Sequence, residues 1–101
     1  MTTLSEAVEL FLASLRTRSV PKNTIKSYKH DLSHFAQAVP EDFSLISPSI
    51  IEGFLAREEH LSPATRARRY STLCAFYHWL IRQEIIQNNL MERAFPHCAT
   101  T

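Results

Sequence analysis

The sequence predicts an all-α fold, a bundle of four to five helices, on three observations. Apolar residues recur at three- and four-residue intervals in four separate stretches. No stretch sustains the period-two alternation of a strand. The single glycine, Gly53, leaves a turn-dense β fold without its turn residues and leaves nothing to build a glycine-rich phosphate loop. With 101 residues, 45% of them hydrophobic and 21% charged, the chain fits one domain that needs no staples.

The first helix runs from about Leu4 to Arg16, with Leu4, Val8, Phe11 and Leu15 on one stripe. Val20-Pro21 closes the connection, because the residue before a proline avoids helical geometry. The second helix spans about Lys22 to Val39. Its stripe of Ile25, Tyr28, Leu32, Phe35, Ala36 and Val39 stops where Pro40 forbids continuation. Ser47-Pro48 supplies an N-cap and a first-turn proline for a short third helix ending near Glu59. Ser62-Pro63 repeats that signal and opens the longest helix, about Pro63 to Ile85. Its expected core stripe is Ala67, Tyr70, Cys74, Tyr77 and Ile81. A fifth, short helix is read over Leu90 to Phe95. Residues 1–95 form the helical domain on this reading, and residues 96–101 a linker stub or tail.

The net charge of +1 hides an uneven distribution. Residues 22–39 carry Lys22, Lys26 and Lys29 against Asp31 alone, and residues 61–82 carry Arg66, Arg68, Arg69 and Arg82 with no acid. Residues 40–60 hold Glu41, Asp42, Glu52, Glu58 and Glu59 against Arg57. A basic face of this kind suits a polyanionic partner whatever the total charge.

Helical projection places Lys22, Lys26, His30, Ser33 and Gln37 outward on the second helix. It places Thr65, Arg68, Thr72 and Trp79 outward on the fourth, flanked by Arg69 and Phe76. Cations mixed with short hydrogen-bonding side chains are what a DNA major-groove surface needs. Solvated helix surface accounts for such residues as well, but the Arg66–Arg82 stretch has no acid with which to form intrahelical pairs. Large exposed aromatics normally have a partner, and for Trp79 packing on another helix or on a missing domain is the preferred explanation. A protein-interaction or oligomerisation module without DNA binding is the competing reading, with acidic residues 41–59 and Trp79 as its surface. A helix-turn-helix regulator fits less well, because its tight interhelical turn is missing.

No catalytic, metal or cofactor site is expected. Cys74 and Cys98 lack ligand spacing, and His30 and His34 lie one helical turn apart without a third ligand. Tyr28, Tyr70 and Tyr77 all fall on core stripes. No small-molecule substrate and no membrane partner are implied, and an intracellular location is the default reading.

Residues 23–32, Asn-Thr-Ile-Lys-Ser-Tyr-Lys-His-Asp-Leu, resemble the N-T-x-x-x-Y-x-x-D-L segment of the core-binding domain of tyrosine recombinases, the phage integrases. Residues 61–80, from Leu61-Ser62-Pro63-Ala64-Thr65 through Phe76-Tyr77-His78-Trp79-Leu80, resemble its second signature, L-S-x-A-T-x-x-R-R-L-S-x-L-R-x-F-Y-x-W-L. Tyr70 stands for the usual leucine, Cys74 for the usual arginine, and Asn89-Leu90 for the common Asn-Pro. The resemblance implies a SAM-like core-binding domain whose second and fourth helices lie against the major groove as half of a DNA clamp. Carried onto matching positions, it points to Thr24, Lys26, Ser27 and His30, and to Thr65, Arg68, Arg69 and Thr72. Lys22 and Arg66 join this set from the charge pattern. It further implies double-stranded DNA and further protomers of a full-length recombinase in a synaptic complex as partners, in a bacterial or phage-encoded, cytoplasmic, nucleoid-associated setting. The family's tyrosine nucleophile belongs to a C-terminal domain that these residues do not contain, so no strand cleavage is expected of this chain.

Overall fold

The computed structural model describes residues 2–57, 60–88 and 90–91. Four helices form in chain order: α1 (Leu4–Thr17), α2 (Lys22–Ala38), α3 (Pro48–Ala56) and α4 (Pro63–Arg82), with one 3-10 turn at Phe43–Leu45 before α3. There is no strand among the described residues. Leu90 and Met91 are helical; the rest of the helix expected over Leu90–Phe95, and the tail at 96–101, lie outside the described residues.

The helix starts follow the local chemistry. Thr3 and Glu6 form a reciprocal capping box on α1, and Ser47 and Ser62 accept from the backbone N–H groups of Ile50 and Thr65. The first turn of α1 gains a distant partner as well. The Leu4 N–H donates to the Glu41 carbonyl at 2.9 Å, and the Ser5 hydroxyl donates to Glu41 Oε1 at 2.6 Å. These bonds from Ser5 hold the Glu41 carboxyl below its ordinary range and seat the α2–α3 connection on the start of α1.

Helices α1 and α4 end alike. Ser19 and Glu84 adopt left-handed backbone, φ 60° and 59°. The following N–H groups reach back, Val20 to the Leu15 carbonyl and Ile85 to the Leu80 carbonyl, each closing a Schellman turn. Helix α4 therefore stops at Arg82, short of the expected Ile85. No glycine signals either stop, so periodicity alone overruns it. A non-glycine residue at such a position carries roughly 1 kcal/mol of steric cost. Glu84→Gly is expected to stabilise the fold by about 0.5 kcal/mol, net of glycine's greater chain entropy when unfolded, and to raise Tm by about 2–4 °C in a thermal melt.

Two phenylalanines join the helices. Phe11 of α1 meets Tyr28 of α2 and Phe76 and Trp79 of α4 edge-on, with ring centroids 5.8, 5.4 and 5.4 Å away. Phe35 of α2 meets Phe54 of α3 at 5.3 Å and Tyr77 of α4 at 6.4 Å, so it ties the short helix into the bundle. Helix α4 is thus covered on two sides. Its buried residues run through Arg69, Thr72, Leu73, Phe76, Trp79 and Leu80 as well as Cys74 and Tyr77. The expected stripe does not hold in full: Ala67 is exposed, while Phe76 and Trp79 are interior. A helix buried over more than half its circumference has no narrow apolar stripe to read.

Candidate nucleic-acid interface

Helix α2 packs against α4 around one buried carboxylate. Asp31 lies in the Ile25–Leu32–Phe35 half of α2, and its side chain is 2% exposed. A lone carboxylate so placed is costly to bury, and it persists only with partners. Arg68 donates Nε to Asp31 Oδ2 at 3.1 Å and Nη2 to Oδ1 at 2.8 Å, the two-pronged geometry that a planar guanidinium offers a carboxylate. The Thr72 hydroxyl donates to Oδ2 at 3.1 Å, and Arg69 Nε lies 3.4 Å from Oδ1. The hydrogen bonds to Asp31 hold the Arg68 guanidinium above its ordinary pKa. Three side chains of α4 thereby converge on one side chain of α2 and fix the spacing and rotation of the two helices.

That pairing leaves a one-signed surface. Helices α2 and α4 together carry seven Lys and Arg against a single Asp, a net of +6. The single acid is the buried one. Lys22, Lys26, Lys29, Arg66, Arg68 and Arg82 are exposed, and no acidic side chain of either helix accompanies them. With a total of +1, the remaining residues carry −5. The excess of cations on these two helices is matched by an excess of acids elsewhere in the chain.

The sequence-derived contact set divides. Lys22, Thr24, Lys26, His30, Arg66 and Arg68 are exposed, and Ser27 and Thr65 are half-buried. Arg69 and Thr72 are interior, 5% and 2% exposed, where the helical projection had placed Thr72 outward and Arg69 beside it. Both turn toward Asp31, which the projection of α4 alone does not include. Trp79, also expected outward, is buried against Phe11 and Phe76. That agrees with packing on another helix and removes Trp79 as a ground for the interaction-module reading. The outer face of α4 instead presents Ala64, Ala67, Ser71 and Arg82. Between α2 and α4 a cleft of about 240 Å³ is lined by Thr24, Ser27, Tyr28, Arg68, Ser71 and Thr72. Ser71 went unmarked in the sequence reading. Its signal was its place nearly one helical turn after Arg68; Ala67, one turn before it, had been expected in the core.

Other side chains offer no separate chemistry. His30 and His34 meet edge-on at 4.7 Å, and no group of three His, Cys, Asp or Glu among the described residues could hold a metal. Tyr77 is fully buried, and burial pushes its phenol above the ordinary range, so it stays protonated at neutral pH. No helix among the described residues is long and apolar enough to cross a membrane.

Residues 8–84 match the family described as phage integrase, N-terminal SAM-like domain. The chain is 34% identical over 94 residues to the tyrosine recombinase XerD of Oceanobacillus iheyensis, a match covering 85% of this chain and 32% of that protein. It is 34% identical over 93 residues to the tyrosine recombinase XerC of Myxococcus xanthus, covering 85% of this chain and 31% of that one. A third relative, the XerD of Listeria monocytogenes, is 34% identical over 86 residues, 77% of this chain and 29% of that protein. The chain thus spans about a third of the length of the curated relatives it matches. No solved structure matches.

Proposed function

The chain belongs to the phage integrase family, through that family's N-terminal SAM-like domain, and on this premise we propose that it is the DNA-gripping part of a tyrosine site-specific recombinase. The α2–α4 face lies over the major groove as one half of a clamp, and the parent protein's catalytic domain supplies the other half. Lys22, Lys26, His30, Thr65, Arg66 and Arg68 touch DNA, with Thr24 and Ser27 at the cleft between the helices. Arg69 and Thr72 support this face from within. The chain itself cuts no strand. Further protomers of the parent recombinase are its protein partners, and bacterial cytoplasm is its setting.

The observation that carries this reading is the charge of α2 and α4: six exposed cations, with the only acid of the two helices buried beneath an arginine. Solvated helix surface normally mixes the two signs. Short hydroxyl side chains interleaved with the cations add the adaptable hydrogen bonding that DNA surfaces use.

Fluorescence anisotropy with a labelled duplex tests it. Cations that replace condensed counterions make the logarithm of affinity fall linearly with the logarithm of salt, by about 0.9 per phosphate contact. With about four to six contacts, raising salt from about 50 to 200 mM is expected to weaken binding by roughly two to three orders of magnitude. Binding that ignores salt would instead favour an apolar interaction module.

A further inference from the structure

We propose that the α2–α4 cleft is a seat for a single DNA backbone phosphate, with Arg68 as its cation and Asp31 as the carboxylate that holds Arg68 in position. The inference rests on the DNA-binding reading above and assigns a particular contact within it. Arginine has five N–H donors. Arg68 uses Nε and one hydrogen of Nη2 on Asp31, which leaves three for a ligand. Its side chain is 45% exposed although its inner edge is clamped against a carboxylate that is 2% exposed. A free surface arginine must give up rotamer entropy to bind, whereas this one is already ordered.

The cleft beside it supplies neutral donors of the right kind. Thr24 and Ser27 of α2 and Ser71 of α4 line the same cleft as Arg68, so hydroxyl-bearing residues of both helices share it with the arginine. Asp31 does not make the seat repulsive. Arg68 and Arg69 both lie against it, and the carboxylate is shielded from the cleft by the guanidinium it binds. Asp31 is a positioning residue here, since it acts on DNA only through Arg68.

Anisotropy titrations of Asp31→Asn, Arg68→Lys and the triple hydroxyl variant Thr24→Val/Ser27→Ala/Ser71→Ala test the seat, with circular-dichroism melts to verify folding. Removing the Asp31 charge makes the face more positive, so diffuse electrostatics requires tighter binding by Asp31→Asn. The seat requires weaker binding, by about tenfold, because a charge-assisted phosphate contact loses its fixed donor. Arg68→Lys keeps the charge but cannot grip Asp31 and a phosphate together, and is expected to lose about tenfold as well. The hydroxyl variant is expected to weaken binding with the salt slope unchanged. Should Asp31→Asn fail to fold, Arg68→Lys and the hydroxyl variant decide. Parental affinity in those two, or tighter binding by a folded Asp31→Asn, overturns the seat while salt-sensitive parental binding still supports the function. Absence of parental DNA binding overturns both.

Discussion

Replacing Asp31 with alanine is expected to cost about 3 kcal/mol of folding stability, a large fraction of the roughly 5–15 kcal/mol that keeps a domain folded. Removing one partner of a buried ion pair typically costs roughly 3–5 kcal/mol, because the remaining charge keeps its desolvation penalty. Two arginines share this carboxylate, and they differ in exposure. Arg68 can turn to water, but the Arg69 side chain is 6% exposed and cannot, while the Thr72 hydroxyl keeps the Arg68 carbonyl, 3.0 Å away, as an acceptor. The relief available to Arg68 places the expected cost at the lower end of the range. A thermal melt should show Tm falling by about 12–24 °C for a domain of this size. A shift below about 3 °C would mean that the Asp31 cluster holds the helices together far less than its geometry implies. Arg69→Ala is expected to act in the same way, through stability, because its side chain is interior and not at the DNA surface.

Joint removal of Lys26 and Arg68 is expected to weaken DNA binding by about 2–4 kcal/mol, roughly 30- to 1,000-fold, and to flatten the salt slope by about 1.8. The two side chains differ in kind. Lys26 is a mobile point charge on exposed helix surface, and its loss should weaken all duplexes evenly. Arg68 is ordered by Asp31, so its loss should exceed that of a typical surface cation. Arg57, at the end of α3 in the acidic part of the chain, is the control. If binding followed net charge alone, Arg57→Ala would cost as much as Lys26→Ala. The account expects it to cost almost nothing.

Much of the fold was legible because the helix starts carry explicit chemistry. Ser47-Pro48 and Ser62-Pro63 set the first residues of α3 and α4, and Val20-Pro21 set that of α2. The stops were less legible, since left-handed Glu84 replaces the glycine that would have marked the end of α4. The candidate site was legible in its composition and misread in its rotation. On α2 one stripe faces the core, and Lys26 and His30 fall outside as expected. Helix α4 packs on two sides, so a projection that assumes one buried stripe sent Thr72 and Trp79 outward when both are interior.

Asp31 had a signal that went unused. It lies among Tyr28, Leu32 and Phe35 on the packed side of α2, where an acid implies a cation from another helix. Only the assembled bundle shows that cation to be Arg68, 37 residues away, with Arg69 beside it. The aspartate of the first signature and the paired arginines of the second are therefore one structural unit. Part of what resembles a DNA-contact motif is the joint that builds the contact surface.

Backbone-amide chemical shifts recorded while a duplex is titrated into isotope-labelled protein test the central claim most directly. The account requires the largest changes over Asn23–His30 of α2 and Thr65–Thr72 of α4, with the Ser71 and Arg68 amides among them and α1 and α3 nearly silent. Changes concentrated instead around Glu6, Glu41 and Glu52 would contradict it and place the working surface of this domain away from α2 and α4.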